Sequence, residues 1–404
     1  MKDLDFIIEY IRSGENDQRR LGLELEHFVL NAWNESISFN NLSGLMEKIG
    51  TNLNAELIRI DGHVMGYKLE EYCATMEPAC QLEISISPYD DLNRIKNIYG
   101  SFYNIWREAL RKEDFRLITK GVDPRVESGR VEPTDLSIIP KKRYHYMDKY
   151  FQTSGKYGRH MMRASASTQI SLDYSSEKDL VRKLRVLEKV SPFLMILMEN
   201  KSDEIAFIED REKPHLLRTQ IWDNLDNDRC GFLPGSLDEN FGYESYAKLL
   251  LSNPLVVFTR NGETSYAGEK TILDIDGLGN DTVEHLISMF FFHIRIKKYL
   301  EVRVADSVSI DKAIGYAALL KGLMYNEKSL KKLEALLEKF QTIRDINNVI
   351  DKIEKYGYEA DIDGNSAWEY CKEILNISSQ GLDSSDRKYL KELINIFEHY
   401  YVAV

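Results

Sequence analysis

The run Ile294-Arg295-Ile296-Lys297-Lys298-Tyr299-Leu300-Glu301-Val302-Arg303-Val304 constrains this chain more than any other. With a period of two, Arg295, Lys297, Tyr299, Glu301 and Arg303 share one face, while Ile294, Ile296, Leu300, Val302 and Val304 share the other. Lys298 is the one polar residue in the apolar set. Successive strand side chains point to opposite faces, so the run reads as a single β-strand with an ionic front and an apolar back. Charge is costly to desolvate, and strands mostly bury at least one face. The ionic face therefore either meets solvent or lines a cavity that holds something anionic.

Other stretches alternate in the same way. In Leu21-Gly22-Leu23-Glu24-Leu25-Glu26, the leucines oppose Gly22, Glu24 and Glu26. Strands are expected at 55–60 and 64–70, joined by the turn dipeptide Asp61-Gly62. In Gln81-Leu82-Glu83-Ile84-Ser85-Ile86-Ser87, apolar and polar residues alternate again, and Pro78 just upstream predicts a bulge or turn. A further strand is expected at 165–173, followed by a helix from an N-cap at Ser175–Ser176 to about 199. Helices are expected at 4–12, 90–112, 243–251 and 281–292, a strand at 254–260, and a Pro- and charge-rich loop at 121–140. Residues 210–242 form a long connection whose Trp, Leu and Ile content favours order. From Asp311 the pattern is helical nearly to the end, broken around 358–366, and Asp361–Asn365 reads as a turn. Strands arrive in clusters and not as βαβ units, which predicts an α+β fold with a mostly antiparallel sheet. We expect a catalytic unit over 1–326 and a helical region over 327–404 packed on the same domain.

Composition excludes several classes. A net charge of −12 opposes general nucleic-acid binding and a polybasic membrane surface. No apolar run approaches membrane-spanning length, and the first residues lack a secretory apolar core. Four scattered cysteines without CxxC spacing suit reduced thiols, so a cytoplasmic location is expected. No GxxxxGK[ST] loop, GxGxxG turn, HExxH helix or GxSxG elbow occurs. Phosphate chemistry, if this chain performs it, must use carboxylates on a sheet. Glu24, Glu26, Glu77, Glu83 and Glu301 each lie in strand-like apolar patterning, an oxygen donor set of the kind Mg²⁺ takes together with nucleotide phosphates. Taken singly, each is equally a solvated carboxylate, and each cation near them is equally a surface ion-pair partner.

Five segments, in order, resemble the motifs of the glutamate–cysteine ligase family, in its plant and bacterial branch. Gly22-Leu23-Glu24-Leu25-Glu26 is similar to GxExE, and Glu77-Pro78-Ala79-Cys80-Gln81-Leu82-Glu83 to EPGxQxE. Met161-Met162-Arg163, with Gln169-Ile170-Ser171-Leu172-Asp173-Tyr174-Ser175-Ser176-Glu177, resembles MMR…QxNLD[FY]SSE. Arg218 through Trp222 and Asp226 through Pro234 resemble RxxIW…DxDRxGxLP, and Tyr299-Leu300-Glu301-Val302-Arg303-Val304-Ala305-Asp306 resembles YLExRxAD.

The resemblance implies a glutamine synthetase-like fold, in which a curved, mostly antiparallel sheet forms a funnel flanked by helices. It implies ATP-dependent joining of the γ-carboxylate of L-glutamate to the amine of L-cysteine through a γ-glutamyl phosphate, the first step of glutathione-type thiol synthesis. Glu24, Glu26, Glu77, Glu83 and Glu301 would hold two or three Mg²⁺ ions, with Gln169 beside them. Arg303 would contact the transferring phosphate, with Arg295 and Lys297 as further cations for ATP. Arg163 and Arg218 would clamp the glutamate α-carboxylate or phosphate, and Trp222 and Arg229 would help close the funnel over substrate. The implied partners are glutamate, an amino-acid amine and ATP, with no nucleic acid and no membrane, in a monomer or homodimer. Ala79 stands where the family has glycine and Ser171 where it commonly has Asn, so a same-fold ligase acting on another amine or acid is the alternative. A silent binding protein on this fold is a third reading, opposed by the intact acid set. No redox switch and only one ligation are expected.

Overall fold

In the computed structural model, which describes residues 2–202, 212–260, 263–275 and 280–402, the alternating segments join one nine-stranded sheet. Its first seven strands are β1 (Leu21–Asn31), β2 (Glu56–Ile60), β3 (His63–Lys68), β4 (Tyr72–Met76), β5 (Leu82–Tyr89), β6 (Phe115–Ile118) and β7 (Ser167–Leu172). Four short strands follow outside it, β8 (Cys230–Gly231), β9 (Val256–Arg260), β10 (Glu263–Gly268) and β11 (Phe291–Phe292). β12 (Ile294–Ile296) and β13 (Leu300–Asp306) return to the main sheet. The order is β12-β13-β7-β1-β5-β4-β3-β2, with β6 on the far end of β1, and every pairing is antiparallel. The sheet is open, and the α+β expectation holds.

Cross-strand register sorts the faces. One back row runs Tyr67, Ala74, Ile84, Leu25, Thr168, and the next Tyr72, Ile86, Leu23, Ile170, Val302, Ile294. These side chains are buried, and helices Phe39–Asn52, Leu92–Arg111 and Glu177–Leu197 pack against β3, β5 and β13. Trp106 of the second helix is wholly buried and donates its indole N–H to the Tyr67 hydroxyl at 3.0 Å. The front rows carry the polar residues. Lys68, Cys73, Ser85, Glu24 and Gln169 form one row, and Thr75, Glu83 and Glu26 the next. A one-residue slip would exchange these faces, so the buried leucines fix which carboxylates look forward.

The run 294–304 is a hairpin and not the single strand expected. Ile296 pairs with Leu300, Arg295 with Glu301 and Ile294 with Val302, with Lys297–Tyr299 as the loop. The loop has an odd number of residues, so parity survives the reversal and Arg295, Glu301 and Arg303 still face forward. Lys298, the odd polar residue, is exposed in the loop. Hydroxyls of Tyr174 and Tyr246 hold the loop, donating to the carbonyls of Lys297 (3.0 Å) and Ile296 (3.1 Å).

Other boundaries also shift. The helix expected over 281–292 spans Asn280–Ile287, because Phe291–Phe292 instead pair in parallel with β8. The 121–140 loop contains a short helix, Pro124–Glu127, and a 3₁₀ turn, Pro133–Asp135. The Asp61-Gly62 turn has positive φ at both residues, as the hairpin dipeptide predicts. In the 210–242 connection, residues 210 and 211 lie outside the described residues, and the remainder is ordered around helix Leu217–Asp223 and β8. The tail is helical as expected, interrupted by a two-stranded turn at 361–366. It packs closely, with the Phe193 and Tyr370 rings stacked 4.8 Å apart and Ser378 Oγ donating to the Leu319 carbonyl at 2.8 Å. Among the described residues no helix is long and apolar enough to cross a membrane.

Candidate active site

The front of the sheet opens into a cavity of about 270 Å³ floored by Glu24 and Glu26 of β1, Glu83 of β5 and Gln169 of β7. Glu77 enters from the β4–β5 turn, Arg218 and Trp222 from helix Leu217–Asp223, and Arg295 and Arg303 from the hairpin. A second cavity of about 600 Å³, lined by Gly22, Lys68, Cys73, Ser85, Ser171 and Tyr299, continues along the same face and shares Glu24 with the first.

The acid side is crowded. Burial pushes the Glu24 carboxyl up, and Glu301 adds to it. Glu26 is likewise raised by burial. Glu83 is raised well above the usual range by burial and then by Glu24, Glu77 and Glu26, although Ser85 (3.0 Å) and Thr75 (3.1 Å) donate hydroxyls to it. Burial and Glu26 push Glu77 up to about 7. Carboxyls in this state are short of positive charge. Among the described residues no three acid, His or Cys side chains stand close enough together to hold an ion as placed. The donor set nonetheless fits a hard divalent cation, because one such ion would relieve the repulsion among all four carboxylates.

The basic side is the reverse. Glu301 is completely buried beneath Arg295 (2.6 Å), Lys297 (3.1 Å) and Arg303 (3.1 Å). Burial alone would raise its carboxyl, yet these three cations outweigh burial and hold it well below the ordinary range. Both its oxygens are committed and it does not line the cavity, so the expected metal role is not what this arrangement shows. Arg303 also donates to the Gln169 carbonyl oxygen, and Gln169 passes the contact on to Glu26 at 3.2 Å. Gln169 therefore bridges the two sides. Trp222 lies under the guanidinium groups of Arg218 (5.6 Å) and Arg303 (6.0 Å), close enough for cation–π contact.

Two expected substrate residues stand elsewhere. Arg163 makes a bidentate pair with Asp148 and donates to the Leu136 carbonyl at 2.9 Å, and it does not line the cavity. Arg229 is 1% exposed, bonded to Asp226 at 2.5 Å and to the Pro254 carbonyl at 3.1 Å, so it braces the connection behind the site. Lys297 also stands outside the lining, held by Glu301. Conversely, Lys141, Arg143 and Tyr144 line the cavity and were not singled out from the sequence. Their signal was the basic–aromatic run Lys141-Lys142-Arg143-Tyr144 at the end of the 121–140 loop, where helix Lys142–Phe151 begins. Ala79 leaves the turn intact, because the left-handed residue there is Cys80 (φ 63°), which is buried and packs into the core.

Residues 20–393 match the model of glutamate–cysteine ligase family 2. The chain belongs to that family. It is 26% identical over 415 residues to chloroplastic glutamate–cysteine ligase B of Oryza sativa subsp. japonica, covering 96% of this chain and 79% of that protein. It is 24% identical over 401 residues to the chloroplastic glutamate–cysteine ligase of Medicago truncatula, covering 93% and 75%. Its fold is similar to that of the Francisella tularensis glutamate–cysteine ligase solved with AMP, with a TM-score of 0.52, 14% identity, and coverage of 95% of this chain and 82% of that one. As a member of this family, the protein is an ATP-dependent carbon–nitrogen ligase of the glutamate–cysteine type.

Proposed function

We propose that the two cavities flanking Glu24 carry out the family's reaction on this sheet, with L-glutamate as the acid and L-cysteine as the amine. A γ-carboxylate oxygen of glutamate attacks the γ-phosphorus of ATP and ADP leaves, giving γ-glutamyl phosphate. The cysteine nitrogen then attacks the acyl carbon, phosphate leaves and the nitrogen sheds its proton, giving γ-glutamylcysteine. The observation that carries this reading is the pairing of four charge-starved carboxyls with an arginine cluster across Gln169.

Glu24, Glu26, Glu77 and Glu83 would hold Mg²⁺, two or three ions being the expected load, with Gln169 beside them. Bound there, magnesium supplies neutralisation of phosphate charge, which phosphoryl transfer requires above all. Arg303 and Arg218 line the cavity beside Trp222, which suits them to the oxygens of the transferring phosphate. Buried Glu301 orients Arg303 and Arg295. The larger cavity has room for the rest of a nucleotide. The test is ADP release from ATP and Mg²⁺ with glutamate and a panel of amino acids. Stimulation by cysteine over glutamate alone is expected, and its absence would overturn the assignment of the amine.

A further inference from the structure

Helix Leu217–Asp223, which brings Arg218 and Trp222 to the cavity, starts from a strained residue. Leu216, just before it, lies in the left-handed region (φ 55°, ψ 41°), which a bulky side chain rarely enters, and no side chain caps the helix. The Glu199 carboxylate holds that conformation. Its Oε1 accepts the Leu216 N–H at 2.6 Å, and its Oε2 stands 3.1 Å from His215 Nδ1. The Glu199 side chain is itself 8% exposed, and the next residue fixes it to the sheet. Asn200 donates its backbone N–H to Asp306 Oδ2 at 2.7 Å and its Nδ2–H groups to the carbonyls of Thr119 (2.9 Å) and Ser307 (2.7 Å). Asp306 ends β13, the strand that carries Arg303. The start of the helix is thereby referred to that strand, and Arg218 Nη1 donates to the Arg303 carbonyl at 3.1 Å. From the other side the C-terminal helical region meets the same segment. His215 N–H donates to the Glu354 carbonyl at 3.1 Å, and Lys213 pairs with Glu354 (2.6 Å) and Asp351 (2.9 Å).

We infer that Glu199 is a positioning residue: it keeps Leu216 left-handed and so sets where helix Leu217–Asp223 presents Arg218 beside Arg303. Without the carboxylate the Leu216 N–H loses its acceptor, and the backbone relaxes toward negative φ, which turns the helix that follows. The inference rests on the ligase reading, in which Arg218 and Arg303 take the oxygens of the transferring phosphate. A small displacement there weakens the transfer step more than it weakens binding, because preset donors act where charge shifts in the transition state.

The test follows ADP release from ATP and Mg²⁺ with glutamate and cysteine, per folded molecule as counted by circular dichroism. Glu199→Ala should lower kcat roughly tenfold to a hundredfold, with the KM for cysteine within about twofold. Adding Leu216→Gly should then raise kcat by at least about threefold while Tm falls further, because glycine enters the left-handed region without strain but gives up the buried leucine packing. A structural role alone would not move kcat and Tm in opposite directions. An unchanged kcat in Glu199→Ala, a KM for cysteine that moves as far as kcat, or a loss that the glycine leaves in place would overturn the inference. If Glu199→Ala does not fold, Glu199→Asp, whose carboxylate stops short of the Leu216 N–H, decides on the same readings with and without the glycine. Failure of the unmodified protein to release ADP with glutamate and cysteine would sink the ligase reading itself. Normal release with kcat unmoved in the variants would sink only this inference.

Discussion

The two sides of the cavity solve opposite electrostatic problems. On the hairpin side, one buried carboxylate, Glu301, is surrounded by three cations and is already neutralised within the chain. On the β1–β5 side, Glu24, Glu26, Glu77 and Glu83 have only hydroxyls, amides and more distant cations, and each is pushed toward its protonated form. The first arrangement is neutralised as folded, whereas the second has an excess of carboxyls that a cation from outside the chain would relieve. Charge of both signs is thus preset on one face of the sheet, and Gln169 joins the halves through Arg303 and Glu26.

The largest effect should come from breaking the completed side. Glu301→Gln leaves buried Arg295 and the half-buried Lys297 and Arg303 without their counter-charge and should cost about 3–5 kcal/mol of stability, measured by denaturant unfolding. Turnover should be lost as well, because Arg303 loses its orientation. Full activity per folded molecule would reduce Glu301 to a structural ion pair. Glu83→Gln should do the opposite to stability. Without metal the variant should be as stable as the parent or slightly more so, since a repelling carboxylate is gone, while Mg²⁺ should no longer raise Tm and ADP release should fall at least about a hundredfold. A marked loss of metal-free stability would show that this side too is completed internally.

The pH responses should diverge in the same way. Glu77 has a folded value of about 7 against 4.5 when exposed, so the folded state holds an extra proton between them. Its contribution is therefore fully present below about 4.5 and is lost as pH rises through about 7. Glu301 is depressed, so its contribution is present above its exposed value of 4.5 and is lost as pH falls toward its folded value. Mg²⁺ should accordingly stabilise the protein more at pH 8 than at pH 6 and release protons on binding, a release readable by titration calorimetry in two buffers. Equal shifts at both pH values would remove the acid side from metal binding. Arg163→Ala should be milder, costing about 1–3 kcal/mol through the Asp148 pair with the KM for glutamate moved less than twofold. Trp33→Ala, at 85% exposure and lining neither of the two cavities, should stay within about 0.5 kcal/mol by thermal melting.

Much of this comparison was legible in the chain. Period-two alternation in 21–26, 81–87 and 294–304 assigned Glu24, Glu26, Glu83, Glu301 and Arg303 to ionic faces, and register brought those faces into one surface. The hairpin was missed because a three-residue reversal preserves parity, so a straight strand and a hairpin carry the same pattern. That Arg163 and Arg229 are committed to acid partners was not legible, for another reason. Asp148 carries no motif, and only packing brings it to Arg163 across fifteen residues, while Asp226 and Arg229 share one motif whose pattern does not say that they pair.

By itself, the sequence determined which side chains share a face, because strand periodicity is local and the apolar back admits only one register. It also determined the ordered motifs that place the chain in its family. The tertiary structure decided which charges are already spent and which remain for a ligand. Charge pairing depends on distances between segments that the chain brings together only on folding, so Glu301 emerged as saturated and the β1–β5 carboxyls as starved.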